Sequence, residues 1–143
     1  MARRGFIRSS CSFCMAGWRY VKGAHYEREL SKRLVEKGFR VVRSAGSGVD
    51  GVSPDLTVLS SVRKFALECK AWKNSVYIDK AKFVLMQEWE RDTGLPIYLA
   101  WKHYRDSWKF FPLSALKETE KNFVASEGDL VVGLSFDELV AHR

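Results

Sequence analysis

Apolar positions along this chain recur in two periods, near 3.6 residues and two residues, and the changeovers between them divide it into elements. From about Gly23 to Lys37 the pattern is helical, with Gly38 placed as the C-terminal stop. At about 100° per residue, Leu30, Leu34 and Val35 share a narrow arc. Glu27 falls inside that arc, whereas Glu29 lies on the far side near Lys32 and Glu36, as a solvated charge. Phe39 to Arg43 reads as a strand and leads into a flexible, glycine-rich loop, Ser44 to Gly51. Strands are predicted at about 55–59 and 64–71, joined tightly through Ser60-Ser61, with a short one at Val76-Tyr77-Ile78. A second helix occupies about 79–93, with Asp79 as N-cap and Gly94 as stop. Phe83, Leu85, Met86 and Trp89 give it a broad apolar face. Pro96 to Trp101 and Trp108 to Phe111 read as further strands, and short helices near 113–117 and 136–141 end the chain. The order α-β-β-β-α-β sets helices against a mixed central sheet, an α/β layer structure.

Residues 1–21 carry no clear periodicity and read as a basic, flexible N-terminal arm, leaving 22–143 as a single domain. Cys11 and Cys14 form a lone CxxC, and no second pair of cysteines or histidines follows to complete a structural zinc site. Three cysteines do not make a disulfide framework, so a reducing cytoplasm is the simpler setting. No apolar run approaches the ~18 residues of a membrane span, and no apolar stretch after the first arginines marks a secretory signal.

Charge sharpens the picture by its distribution. The net charge is +7. Residues 1–22 hold five basic groups and no acid, whereas 118–143 are net −4 and the centre, 23–117, is net +6. A basic centre is what phosphate binding requires.

The chemistry concentrates between Pro54 and Lys70, where Pro54-Asp55, a short apolar strand and a basic turn precede Glu68-Cys69-Lys70. Alternate residues of a strand share a face, so Glu68 and Lys70 project side by side while Phe65, Leu67 and Cys69 point into a core. Mg²⁺ takes hard oxygen ligands, and phosphodiester hydrolysis uses such an ion to activate water and steady the leaving oxygen. Asp55 on one strand and Glu68 on its neighbour can supply two ligands. The same spacing also describes an exposed ion pair. Glu27, a carboxylate aimed at the sheet, needs a partner, because burying it alone is costly. A metal or an ammonium would serve; so would a local arginine such as Arg43 at the helix edge.

Glu27, Asp55, Glu68 and Lys70 together resemble the site of the PD-(D/E)xK nuclease superfamily, with its restriction-endonuclease-like fold. Lys22-Gly23-Ala24-His25-Tyr26-Glu27-Arg28-Glu29-Leu30, with Gly38-Phe39-Arg40-Val41-Val42-Arg43-Ser44-Ala45-Gly46-Ser47, is similar to one branch of it, the archaeal Holliday-junction resolvases. The resemblance covers roughly residues 22–140. It implies that Asp55 and Glu68 ligate Mg²⁺, with Mn²⁺ as a substitute. Glu27 would be a further carboxylate ligand or would orient metal-bound water. Lys70 would position or deprotonate the attacking water. Ser47 would stand near the scissile phosphate, and Arg28, Arg43 and Lys22 would engage DNA. It further implies a homodimer, acting on four-way junction DNA by paired symmetrical nicks during recombination and repair, with a sliding clamp or branch-migration proteins as further partners. An isologous dimer suits a nearly two-fold substrate, and Phe83, Met86 and Trp89 are candidates for its contact, unless they pack on their own sheet.

Two other functions share these residues: a nuclease of the same superfamily cutting duplex or flap DNA, and a non-catalytic DNA-binding module. Four intact site residues weigh against the module, and the stretch from Lys22 to Ser47 favours junctions over other DNA. Trp72, Trp101 and Trp108 are more often core fillers than base-stacking platforms. Lys73, Lys80 and Lys82 are candidates for a DNA track, against the default of scattered surface lysines.

Overall fold

The computed structural model describes residues 12–44, 52–103 and 108–141, with side chains from residue 23 onward. Helix α1 runs Ser12–Glu36, so it starts well before the predicted Gly23, inside the segment assigned to the arm. Nothing in the local sequence stops it: the first proline is Pro54, and a helical glycine such as Gly17 costs only about 1 kcal/mol. The C-terminal stop is as expected. Gly38 takes φ 94°, a left-handed conformation natural to glycine, and Phe39 N–H returns to Leu34 C=O at 3.2 Å.

Five strands make the main sheet in the order β1-β2-β3-β5-β6: β1 Arg40–Arg43, β2 Leu56–Leu59, β3 Lys64–Lys70, β5 Ile97–Lys102 and β6 Trp108–Pro112. All neighbours are antiparallel except β3 and β5, so the sheet is mixed, as predicted. A parallel pair needs a long crossover. Here it is β4, Ser75–Asp79, followed by α2, Lys80–Thr93. Asp79 caps α2 by accepting the Lys82 N–H at 2.9 Å, and Gly94 ends it at φ 70°.

Strand β3 is buried on both faces, which explains its run of Phe65, Ala66, Leu67 and Glu68 without a polar solvent-facing position. On one side Phe65 and Leu67 pack with Leu30 and Leu34 of α1 and with Phe136 and Leu139 of α3, Phe136–Ala141. On the other, Ala66, Leu99 and Trp101 pack with Phe83 and Met86 of α2. Trp101 and Trp108 are fully buried and fill the core. The Trp101 indole N–H donates to the Trp72 carbonyl at 2.8 Å.

The structure departs from the sequence reading in three further places. Val35, placed in the apolar arc of α1, is 54% exposed, because the core-facing stripe is narrower than the arc. The predicted helix near 113–117 is a single 3-10 turn, Leu113–Ala115. It leads to β7, Lys117–Glu118, which pairs with β8, Asn122–Ser126, and β8 in turn pairs with β4. This second, three-stranded sheet was not predicted: its β4–β8 pairing joins segments distant in sequence, and its local β7–β8 hairpin has a first strand of only two residues.

Candidate active site at the β2–β3 sheet end

The predicted chemistry gathers where β1, β2 and β3 meet the side of α1. Asp55 stands one residue before β2, and the register Leu56↔Leu67 continues one step to set it level with Glu68. Its backbone carbonyl accepts the Ser44 N–H at 2.9 Å, which ties the end of β1 to this corner. Its side-chain Oδ2 accepts the Cys69 N–H at 2.7 Å. Burial and the neighbouring Glu68 charge, with a smaller push from Glu27, raise Asp55 to about 6, against the pull of the Cys69 N–H and of Lys70. The Cys69 thiol, partly buried against the core, is pushed up as well, by burial first and then by Asp55, Glu27 and Glu68, which favours its protonated form.

Glu68 is buried, and its Oε1 meets two ammonium groups: Lys82 from the first turn of α2, and Lys70 at 3.4 Å from the same strand. The Lys70 Nζ also lies 5.3 Å from the centre of the Trp72 ring, so it is held between a carboxylate and an aromatic face. Glu27 is directed inward from α1, as predicted, and its partner is the local arginine: Arg43 Nε donates to Glu27 Oε2 at 2.8 Å. Glu29 is not simply a solvated charge, because Lys102 of β5 lies 3.7 Å from it, its ammonium also facing the Tyr26 and Trp108 rings.

Each inward carboxylate thus has a donor from the chain itself. Among the described residues no group of three or more His, Cys, Asp or Glu is assembled as a ready metal site. The donor chemistry nonetheless fits a hard divalent cation. Asp55, Glu68 and Glu27 all offer carboxylate oxygens, and the upward push on Asp55, set by burial first and by the Glu68 charge second, is one that a bound cation would relieve.

Arg28 is exposed on α1, free to face a ligand outside the fold. Ser47, with its glycine-rich loop, lies outside the described residues, as do the side chains of Lys22, Cys11 and Cys14. The apolar face of α2 is resolved in favour of its own sheet for Phe83 and Met86, both buried, while Val84 and Leu85 are 49% and 41% exposed. Lys82 is the site residue that sequence reasoning left among ordinary surface lysines. One signal pointed to it: a cation in the first turn of a helix opposes the helix dipole and calls for a compensating partner.

Residues 18–143 match the family model described as archaeal Holliday junction resolvase (Hjc). The chain is 34% identical over 120 residues to the crossover junction endodeoxyribonuclease Hjc of Archaeoglobus fulgidus, covering 82% of this chain and 88% of the relative. Its counterpart from Sulfolobus acidocaldarius is 34% identical over 127 residues, covering 85% and 88%. The solved structure of Archaeoglobus fulgidus Hjc, a Holliday junction resolvase, superposes with a TM-score of 0.76 at 31% identity, covering 85% of this chain and 98% of that one. The mixed five-stranded sheet, the flanking helices and the match over nearly the whole chain lead to one conclusion: this protein belongs to the archaeal Holliday junction resolvase family.

Proposed function

We propose that this chain is a crossover junction endodeoxyribonuclease that resolves four-way DNA junctions by paired symmetrical nicks, and that it does so at the β2–β3 sheet end. The observation that carries the reading is the convergence of Asp55, Glu68 and Lys70 there: the Glu68 charge bears on Asp55, and Lys70 lies against the Glu68 carboxylate. Asp55 and Glu68 would hold Mg²⁺, or Mn²⁺ in its place, with Glu27 as the third carboxylate. Once bound, the ion would supply Lewis-acid activation of water and stabilise charge on the phosphate.

The remaining work falls to the chain's own side chains. Lys70, steadied by Trp72, orients the attacking water and offsets charge on the scissile phosphate. Arg43 holds Glu27 in place while presenting its guanidinium edge toward DNA, with the exposed Arg28 beside it on α1. Ser47 and Lys22 would extend that contact. A basic centre of net +6 favours recognition through phosphates and junction shape over base edges. Two copies related by two-fold symmetry would set two such sites on opposing strands of the junction.

The test is incubation with a synthetic four-way junction, a matched duplex and a flap, each with Mg²⁺ or with EDTA. Paired symmetrical nicks confined to the junction and dependent on the metal are expected. Equal cutting of the duplex or flap would overturn junction selectivity, and cutting in EDTA would overturn the metal site.

A further inference from the structure

The proposed site uses Asp55, Glu68 and Lys70, yet the structure brings a further group onto the Glu68 oxygen that Lys70 approaches. Lys82 Nζ contacts Glu68 Oε1, the atom that Lys70 also approaches at 3.4 Å. Lys82 does not reach it by accident of a loose surface chain. Its backbone N–H is held by Asp79 Oδ1 at 2.9 Å, and the next residue, Phe83, is buried and stacked on Phe123 at 3.6 Å. The turn carrying Lys82 is therefore pinned on both sides. A lysine in the first turn is disfavoured by the helix dipole, and the Glu68 charge is what offsets that cost. Of the pair, the Glu68 side chain is 3% exposed and the Lys82 side chain 37%, so the buried partner is the one that depends on the contact.

We propose that Lys82 is a positioning residue of the active site, an internal cation that occupies the Glu68 carboxylate until a divalent ion displaces it, and so sets the metal concentration the enzyme requires. The proposal rests on Glu68 being a metal ligand. Its physical basis is competition: an ion arriving at Glu68 must take the oxygen that Lys82 holds. Removing one partner of a desolvated pair leaves the other charge uncompensated, and a divalent cation then gains what the ammonium lost. A lysine with only a structural role would lower stability when replaced and leave metal affinity where it was.

The experiment is a Mn²⁺ titration of the full chain, following the free-ion EPR signal, on wild type, Lys82→Gln, Lys82→Arg and Glu68→Gln. Lys82→Gln is expected to bind Mn²⁺ tighter by roughly three- to tenfold, the effect of one charge-assisted contact reduced by partial solvent screening. Lys82→Arg, which keeps the cation, is expected to stay near wild type. The half-saturating Mg²⁺ for junction cleavage should fall in Lys82→Gln by a similar factor. Thermal unfolding should show Lys82→Gln less stable in EDTA and gaining more from added Mn²⁺ than wild type does. Lys82→Met, which keeps the aliphatic stem, repeats the measurement if the amide variant folds poorly. Unchanged or weaker Mn²⁺ affinity in the neutral variants, with binding abolished in Glu68→Gln, would overturn the role of Lys82 alone. Binding that survives in Glu68→Gln would place the ions elsewhere and overturn the site reading on which the proposal stands.

Discussion

At the scale of single residues, the site is a balance of charges in which no inward carboxylate stands alone. Glu27 has Arg43, Asp55 has the Cys69 N–H, and Glu68 has Lys70 and Lys82. Asp55→Asn or Glu68→Gln should reduce junction cleavage by about 10³-fold or more, the loss of several kcal/mol of metal-borne stabilisation, with junction binding in a gel-shift assay nearly unchanged. Asp55 also predicts a pH dependence. Its folded value, about 6, lies above the ordinary 3.8, so the folded state holds its proton more tightly than the unfolded chain does. The stability this contributes is fully present below about pH 3.8 and is lost as pH rises through about 6. Melting temperatures in EDTA across pH 4 to 8 should therefore show wild type losing stability relative to Asp55→Asn, and parallel curves for the two proteins would contradict the assignment. The sequence pointed to Glu27, Asp55, Glu68 and Lys70 because strand and helix periods put them on inward or shared faces and their set resembles a known nuclease site. Lys82 could not be singled out the same way: its contact with Glu68 depends on where α2 lands, and spacing along the chain does not report that.

At the scale of elements, local signals were read well where chemistry is local. Asp79 and Gly94 bound α2 as expected, because a side-chain cap and a left-handed glycine act within one turn. The small sheet β4-β8-β7 escaped notice, because most of the pairing of Asn122–Ser126 is with β4, far away in sequence. The approach of the chain after that sheet is close. Buried Gly133 faces the end of the Phe111 ring, and a Cβ there would stand 2.7 Å from it. Phe111 is fully buried and cannot withdraw. Gly133→Ala should cost about 1–3 kcal/mol in urea unfolding, as overpacking of a filled core does. An unchanged midpoint would mean that the ring or the turn yields freely.

At the scale of the whole molecule, the sheet sorts its two faces between α1 with α3 and α2, and this decides what remains for assembly. Phe83 and Met86 are consumed by the core and Trp89 packs against it, so a contact between two copies through α2 would have to use Val84 and Leu85, which are exposed on the same helix. Leu85→Glu should therefore shift a two-copy species toward a monomer in size-exclusion light scattering and weaken junction binding, while leaving the melting temperature of the domain nearly unchanged. A mass that does not respond to this variant would exclude that surface as the dimer contact. No helix among the described residues is long and apolar enough to cross a membrane.

The sequence by itself determined the order of the core elements and the mixed α/β class, because periodicity, caps and strand spacing are local properties of the chain, and its family resemblance nominated Glu27, Asp55, Glu68 and Lys70 as site candidates. Tertiary structure supplied Lys82 on Glu68 and the Cys69 N–H on Asp55, and for Glu27 it selected Arg43 from the partners that the sequence left open. It also decided which apolar side chains of α2 are spent inside and which are left outside. Those outcomes depend on how separate segments pack together, and electrostatic and packing energies between distant segments exist only once the chain has closed on itself.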